Sequence, residues 1–471
     1  SELLTAGRPA NILEIGTGLS SLTFIDAFLE NNNSINIISF NKSKKKFTQI
    51  DNNHILKILP PQMIGEDKQV MDYFSLNKII IDKNTKFFGS LEFGGLSNYW
   101  GLQIDKNIEG DISHFSKKTQ KKIKESFYEI LNKLKLLEKF NNKYKNIFIK
   151  DKYIDKKFFE KSKELISDEP LLAFQKKGNK KGINLNLINE EKDKLTPLNL
   201  FNKNLKNKKI IFHNFFVEKI QNCKEGLKLY CSNGEKKEIF ITKKLVLGCG
   251  TLITTKLIMD YLNIKREVKI FHHPRLFSVY FSKKKWKNKM KFQPSHFHLK
   301  WKKNPLLFTA DFRPGNKIII EAIVKFKKFL NLIKFFLNAI REHFIFSNIF
   351  FNPKFSNLYL KKRGDVYLIF SKNKNIKNLL KKTSKKIFNF LISSKKILPF
   401  YINYFPGFGA DFHYFGTIQV GKSKDLSVNE KCQINKKKNI YIVDGSVFKF
   451  NGNKYPLGLI MANARRIGKE M

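Results

Sequence analysis

Short apolar runs that end in glycine turns recur along the chain. The first, Ile12 to Ile15, meets Gly16 and Gly18; Leu22, Phe24, Ile25 and Phe28 then recur at helical spacing. A second apolar run, Ile35 to Phe40, reads as a strand, so the chain opens with a strand–helix–strand unit. Residues 112–145 are charged and helical, with SFYEILNKLKLLEKF the clearest amphipathic piece. Residues 209–247 predict strands and hairpins: KIIFHNFFVEKI, GLKLYC, a turn at SNGE, then EIFIT. KKLVLGCG is another buried strand running into a glycine turn. Residues 266–400 mix strand-like pieces (IFHHPRLFSVYF, NKIIIEAIV) with basic helical ones. Near the other end, NIYIVDGSVF predicts a strand closing in a turn, and Pro456 stands near the start of a helix, where its fixed φ is favoured.

The length of 471 residues suits two domains or one large domain with insertions, and 42% apolar residues supply a sizeable core. A formal net charge of +49 points to a polyanionic partner or to a solvated lysine surface. The lysines are spread along the whole chain, and the skew to Lys, Asn, Ile and Phe has the look of AT-rich coding, which favours the second. No recognition motif or aromatic-basic array marks a specific nucleic-acid binder. Cys223, Cys231, Cys249 and Cys432 have neither metal-type nor disulfide-framework spacing, and no metal is expected. SELLTAGRPA has no apolar signal core and no run approaches a membrane span, so the expectation is a cytoplasmic protein.

Four motifs carry candidate chemistry. Gly16-Thr17-Gly18-Leu19-Ser20-Ser21 lies between a strand and a helix. Gly16 permits the tight turn, Gly18 the approach of backbone to a pyrophosphate, and Ser21 is small enough for close helix–strand packing. The second strand ends in Ser39-Phe40-Asn41, without the acid that usually binds ribose hydroxyls. Gly94-Gly95-Leu96-Ser97-Asn98-Tyr99-Trp100-Gly101 offers bare backbone, two polar side chains and a stacking wall to a flat ligand. Gly248-Cys249-Gly250 opens another helix; there Cys249 reads as a small residue rather than a reactive thiol. Finally FGADFHYFGTIQVG, residues 408–421, holds His413 in a stretch free of lysine and arginine, ahead of Asp444-Gly445-Ser446 and Tyr455-Pro456-Leu457.

In this order and at these distances the motifs resemble the glucose–methanol–choline family of flavin oxidoreductases, over roughly residues 11–41, 88–102, 209–258 and 405–471. The resemblance implies an α/β (α+β overall) protein. A Rossmann-like FAD-binding domain would be assembled from residues 11–110, 200–265 and 401–471, with a substrate-binding domain of sheet and helices inserted as 111–199 and 266–400. It implies that Gly16, Gly18 and Ser21 hold the FAD pyrophosphate and that Val217 lies near the adenine. Gly94, Gly95, Ser97 and Asn98 would line the isoalloxazine, Asp444 and Gly445 would approach the pyrophosphate or ribityl chain, and Pro456 and Leu457 would meet the pyrimidine edge. His413 would take the hydroxyl proton of an alcohol whose carbon gives hydride to flavin N5.

The chain departs from the family pattern at Tyr455, which stands where His or Asn usually partners the first histidine, and at Tyr99, where some relatives carry a histidine linked to the flavin. FAD is therefore expected to be non-covalent, and the catalytic pair to be His413 and Tyr455. The implied activity is oxidation of a CH–OH group of a sugar or glycan precursor, by a dehydrogenase rather than an oxidase. A non-catalytic, decayed flavin-fold protein on a membrane or glycan is the alternative. His272-His273 reads as structural or pocket-lining, since neighbours on a strand point apart. The basic amphipathic run Val324 to Phe344 suits either a peripheral membrane contact, with an amphiphilic or lipid-linked substrate, or packing on its own core.

Overall fold

The computed structural model describes residues 10–31, 34–40, 73–83, 85–105, 108–133, 165–168, 171–173, 195–206, 208–283, 285, 297–301, 308–315, 320, 332–372, 376–393, 397–421, 425–451 and 455–471. Two large sheets organise them. The first has eight strands, and its parallel part runs Lys437–Ile442, Lys237–Leu247, Ala10–Ile15, Ile35–Ile38, Ile210–His213. Phe216–Cys223 and Gly226–Ser232 add an antiparallel hairpin to it. The strands at its centre are largely buried on both faces, which is why the end of Lys237–Leu247 reads as an unbroken apolar run and Ile35–Ile38 is interrupted only by Asn36.

Helix Leu19–Phe28 is buried along its whole length, and the C-terminal helix Leu457–Glu470 crosses it closely at Gly468. A Cβ there would stand 2.5 Å from the Phe24 carbonyl oxygen. Arg465 pins the assembly, its guanidinium reaching Glu30 at 2.9 Å and Glu129 at 2.8 Å, with Asp26 at 3.7 Å. Glu129 belongs to helix Lys117–Lys133, which also packs against the C-terminal helix.

The second large sheet is antiparallel, with strand order Ile397–Tyr404, Arg275–Ser282, Phe344–Phe351, Phe308–Pro314, Phe297–Trp301, Leu165–Asp168. Strand Ile397–Tyr404 runs across the boundary expected at residue 401. A four-stranded sheet joins Val268–Ile270, Leu358–Arg363, Val366–Ser371 and, from the N-terminal region, Ile79–Ile81.

The run Val324 to Phe344 is not one helix. Its described part is helical over Lys334–Ala339, and Phe344 opens a strand. Phe344 and Phe346 pack with Ile320, and strand pairing there overrides helical spacing. Of the strand-like NKIIIEAIV only Ile320 is described, and it is helical. Among the described residues no helix is long and apolar enough to cross a membrane.

Candidate active site

The four motifs, far apart in sequence, meet at the carboxyl ends of the parallel strands. Strands Ala10–Ile15 and Lys237–Leu247 are neighbours from which the chain proceeds in opposite directions across the sheet, a topology that leaves a crevice between their ends. Gly16 follows the first with φ +126°, and a Cβ there would lie 2.5 Å from the Gly248 oxygen, which follows the second. Ser21 donates its hydroxyl to that same Gly248 oxygen at 3.0 Å. The third position of the motif thus binds helix to strand through a hydrogen bond where glycine would do so by absence of a side chain.

The second motif docks on the first. Gly94 N–H donates to Thr17 Oγ1 at 3.1 Å, and Leu19 N–H, in the first turn of its helix, donates to Ser97 Oγ at 3.2 Å. Gly94 and Gly95 both have positive φ, 90° and 52°. Asn98 donates to the Phe93 carbonyl at 2.8 Å, Tyr99 to Glu92 at 2.6 Å, and the Trp100 indole to the Leu195 carbonyl at 2.9 Å. Ser39 hydrogen-bonds with Thr17 at 3.1 Å; Asn41 lies outside the described residues. Val217 is buried on the hairpin strand Phe216–Cys223.

Asp444 caps the turn Gly445–Val447. It accepts from Ser446 N–H at 2.9 Å, from Ser446 Oγ at 2.6 Å and from Thr254 Oγ1 at 2.5 Å. Burial raises its pKa despite these bonds. Glu14, a wholly buried acid that the sequence reading passed over, is driven well above the carboxylate range by burial; Ser21 offsets this in part and the Asp444 charge adds to it. The Cys249 thiol, hydrogen-bonded with Thr254 Oγ1 at 3.3 Å, is pushed up to about 12 by burial.

His413 follows the turn at residues 409–411. Thr251 donates to the Tyr414 carbonyl at 2.6 Å, Thr255 to Thr417 at 2.6 Å, and Gly416 N–H to Gly445 O at 3.1 Å, so the lysine-free stretch is fastened to the third motif and to Asp444-Gly445. Phe412 holds φ +64°, a left-handed conformation costly for a non-glycine residue, which turns Asp411 and His413 to their partners. The His413 ring stacks on Phe350 at 5.4 Å and meets His273 edge-on at 5.4 Å. Buried Asp411 accepts from His272 Nδ1 and from the His273 N–H, each at 2.8 Å. Burial works to raise its pKa, but the imidazoles of His272, His413 and His273 outweigh it and hold the carboxyl below its usual value.

The two adjacent histidines stand outside any strand and do not simply point apart: both bear on Asp411, His272 through Nδ1 at 2.8 Å and His273 through its main chain, while the His273 ring also meets His413. Donor atoms of His273, Asp411 and His413 nonetheless lie within 4.8 Å of one another, an arrangement spacing alone did not foresee and an empty candidate for a cation. The Asp411 oxygens are already engaged by His272 and the His273 main chain, which makes this carboxylate an orienter of imidazoles.

Tyr455 hydrogen-bonds His298 Nε2 at 2.7 Å, and both residues are buried. His298 stands in strand Phe297–Trp301 of the antiparallel sheet. The sequence reading missed it, and the one signal was the alternation in HFHLKW. Pro456 caps the C-terminal helix, which begins at Leu457.

Together these features define a Rossmann-like α/β protein in which an antiparallel sheet covers the edge of a parallel one. No family model matches the sequence, and no curated protein matches it. The structure is similar to pyridoxine 4-oxidase from Mesorbium loti, with TM-score 0.54, 11% identity and coverage of 98% of this chain and 99% of that one. It is similar also to a variant of formate oxidase from Aspergillus oryzae RIB40 made to study FAD modification, with TM-score 0.55, 11% identity and coverage of 99% and 98%. The fold is that of the glucose–methanol–choline oxidoreductases.

The residues fit a dinucleotide. A Cβ built on Gly18 meets nothing nearer than Ser97 Oγ at 3.4 Å, and one built on Gly250, at φ +86°, meets nothing within 4 Å. The helix behind Gly18 presents its N-terminus to this space.

Proposed function

We propose that the protein is an FAD-dependent oxidoreductase of the glucose–methanol–choline type that oxidises a CH–OH group to a carbonyl. The observation that carries this reading is the convergence of four glycine-bearing motifs, spread from Gly16 to Leu457, on one edge of the parallel sheet, with His413 anchored to two of them. Bound there, FAD would supply the acceptor for the hydride. His413 takes the hydroxyl proton, and Asp411, through His272 and the His273 main chain, sets the imidazole cluster around it. Phe350 closes one face of the His413 ring. Tyr455 and His298 form a second hydrogen-bonding group, able to donate to and accept from a substrate oxygen.

Residues Gly16, Gly18 and Ser21 are assigned to the pyrophosphate turn, and Gly94, Gly95, Ser97 and Asn98 to the isoalloxazine. Val217 is assigned to the adenine, Asp444 and Gly445 to the pyrophosphate or ribityl chain, and Pro456 and Leu457 to the pyrimidine edge. The division into a discontinuous FAD domain and an inserted substrate domain goes with these roles. FAD is non-covalent in this reading because Tyr99, engaged with Glu92, replaces the attaching histidine. Both structural neighbours are named oxidases, which keeps oxygen among the candidate electron acceptors.

The visible spectrum of the purified protein, taken before and after acid precipitation, tests the cofactor: flavin is expected to leave with the supernatant. Anaerobic reduction by an alcohol panel, lost in His413→Ala, tests the chemistry. A protein that neither carries nor binds FAD would sink the proposal.

A non-catalytic flavin-fold protein is the second reading. It is favoured by the hydrogen bond that Tyr455 makes to His298, where a partner of His413 was expected. Flavin bound but reduced by no alcohol would support it. Membrane contact through 324–344 is a separate proposal, resting on Leu332 and Phe335, which are 91% and 90% exposed beside Lys334.

A further inference from the structure

One face of the antiparallel sheet covers the site. Lys300, Thr309, Phe350 and Arg275 stand in register across four strands, and His298, Asp311, Asn348 and Phe277 form the next row. Each row is two residues from the other along every strand, so all eight side chains project from the same face. That face is the one that reaches the site, because His298 bonds Tyr455 and Phe350 stacks on His413.

Among the described residues its cations are matched to acids with one exception. Lys300 pairs with Asp105 at 2.8 Å, and Arg313, on the same face, pairs with Asp311 at 2.8 Å. Arg275 is 6% exposed, and its Nε and Nη2 are fully buried with no hydrogen-bond partner among the described residues. Its contacts are aromatic: the guanidinium carbon lies 4.2 Å from the Phe277 ring centre and 5.9 Å from that of Phe350. The nearby carboxylates are committed, Asp411 to His272 and His273, and Asp311 to Arg313 and Asn348. Arg465, equally buried, shows what this fold does with a structural arginine: it surrounds it with three carboxylates. Burial lowers the Arg275 pKa only to about 10, so the group stays charged at neutral pH. The charges of Asp411 and Asp311 act on the group from nearby, but a desolvated guanidinium with no hydrogen-bonded anion is costly, and its planar fork suits carboxylate and phosphate oxygens.

We propose that Arg275 anchors an anionic group of the substrate, so that the substrate is an alcohol bearing a carboxylate or a phosphate, with its reacting carbon at His413. This rests on the oxidoreductase reading and narrows it. The Phe350 ring, in contact with both Arg275 and His413, would lie along the stem that joins anion to hydroxyl. The strongly positive chain would draw such a substrate in.

The test uses the full chain with its flavin, as wild type, Arg275→Met and Arg275→Lys. Acetate and inorganic phosphate are titrated by calorimetry and by thermal melting. Glycolate is compared with ethylene glycol, and glycerol phosphate with glycerol, by anaerobic flavin reduction. Wild type is expected to bind at least one anion, and the preferred anion tells carboxylate from phosphate. In Arg275→Met that binding falls at least tenfold, KM rises for the anionic alcohol alone, and the anion-free melting temperature holds or rises. Arg275→Lys keeps the charge and loses the fork, so it falls between and serves if the methionine variant does not fold. Anion binding equal in all three proteins, or equal reduction by anionic and neutral alcohols, overturns the inference while the oxidoreductase reading stands. Arg275-dependent anion binding in a protein that carries no flavin keeps the anion site and sinks the oxidoreductase reading.

Discussion

The hydrogen bond between Tyr455 and His298 separates a catalytic role for Tyr455 from a structural one, and Tyr455→Phe removes it with little change in volume. The hydroxyl lies 2.7 Å from Nε2, with Tyr455 7% and His298 1% exposed. Losing a buried hydrogen bond and leaving the imidazole nitrogen unsatisfied costs about 1–3 kcal/mol. A chain of 471 residues unfolding as one unit carries an entropy of roughly 1 kcal/mol per kelvin, so the melting temperature is expected to fall by about 1–3 °C. If Tyr455 also serves the reacting oxygen, anaerobic flavin reduction slows by about 10²-fold or more. His298→Gln, which keeps a hydrogen-bonding group, should recover part of each loss seen in His298→Ala. An unchanged melting temperature in Tyr455→Phe would refute the hydrogen bond. A lowered melting temperature with an unchanged rate of reduction would refute the catalytic role.

Further outcomes follow from buried groups and exposed ones. The Asp411 carboxyl is held below its ordinary value, so the folded protein binds fewer protons there than the unfolded chain; its stabilisation is present at neutral pH and is lost as pH falls through the depressed value. Asp411→Asn should therefore melt about 2–3 °C lower at pH 7, as expected for weakening hydrogen bonds to a buried carboxylate, and the gap should close in acid; a constant gap from pH 7 down to pH 3 would count against it. Cys249, half-buried and with its thiol pushed up to about 12, should resist iodoacetamide at pH 8 in the native protein, and rapid labelling located there by peptide mapping would contradict that upward shift. Phe335→Ser with Phe336→Ser should weaken co-sedimentation with vesicles containing anionic lipid by about tenfold or more; equal sedimentation of wild type and variant would end the membrane proposal.

The parallel sheet was legible because each of its strands is a short apolar run stopped by a glycine or polar turn, and because Gly16, Gly94, Gly250 and Gly445 stand where backbone must turn or approach closely. Helix Leu457–Glu470 was legible from Pro456. The antiparallel sheet was not. Phe344–Phe351 is buried at seven of its eight positions, so FIFSNIFF shows no alternation to read. His298 and Arg275 look like ordinary polar positions of strands until pairing places them beside Tyr455 and Phe350. Asp411 gains its meaning from a contact with His272 across 139 positions of sequence, which no local pattern encodes.

The parallel sheet also sets an order of events during synthesis. Strand Ala10–Ile15 leaves the ribosome well before its neighbour Lys237–Leu247, whose outer partner is Lys437–Ile442. Until those arrive, the apolar Ile12–Ile15 run and the wholly buried helix behind it have no complete surface to cover them. The nascent chain must therefore keep this strand and helix sheltered, by a chaperone or by non-native collapse, while the segments up to Ile442 are made. The closing strand and the helix that packs on Leu19–Phe28 act as the latch, which makes fragments lacking them poor candidates for separate expression.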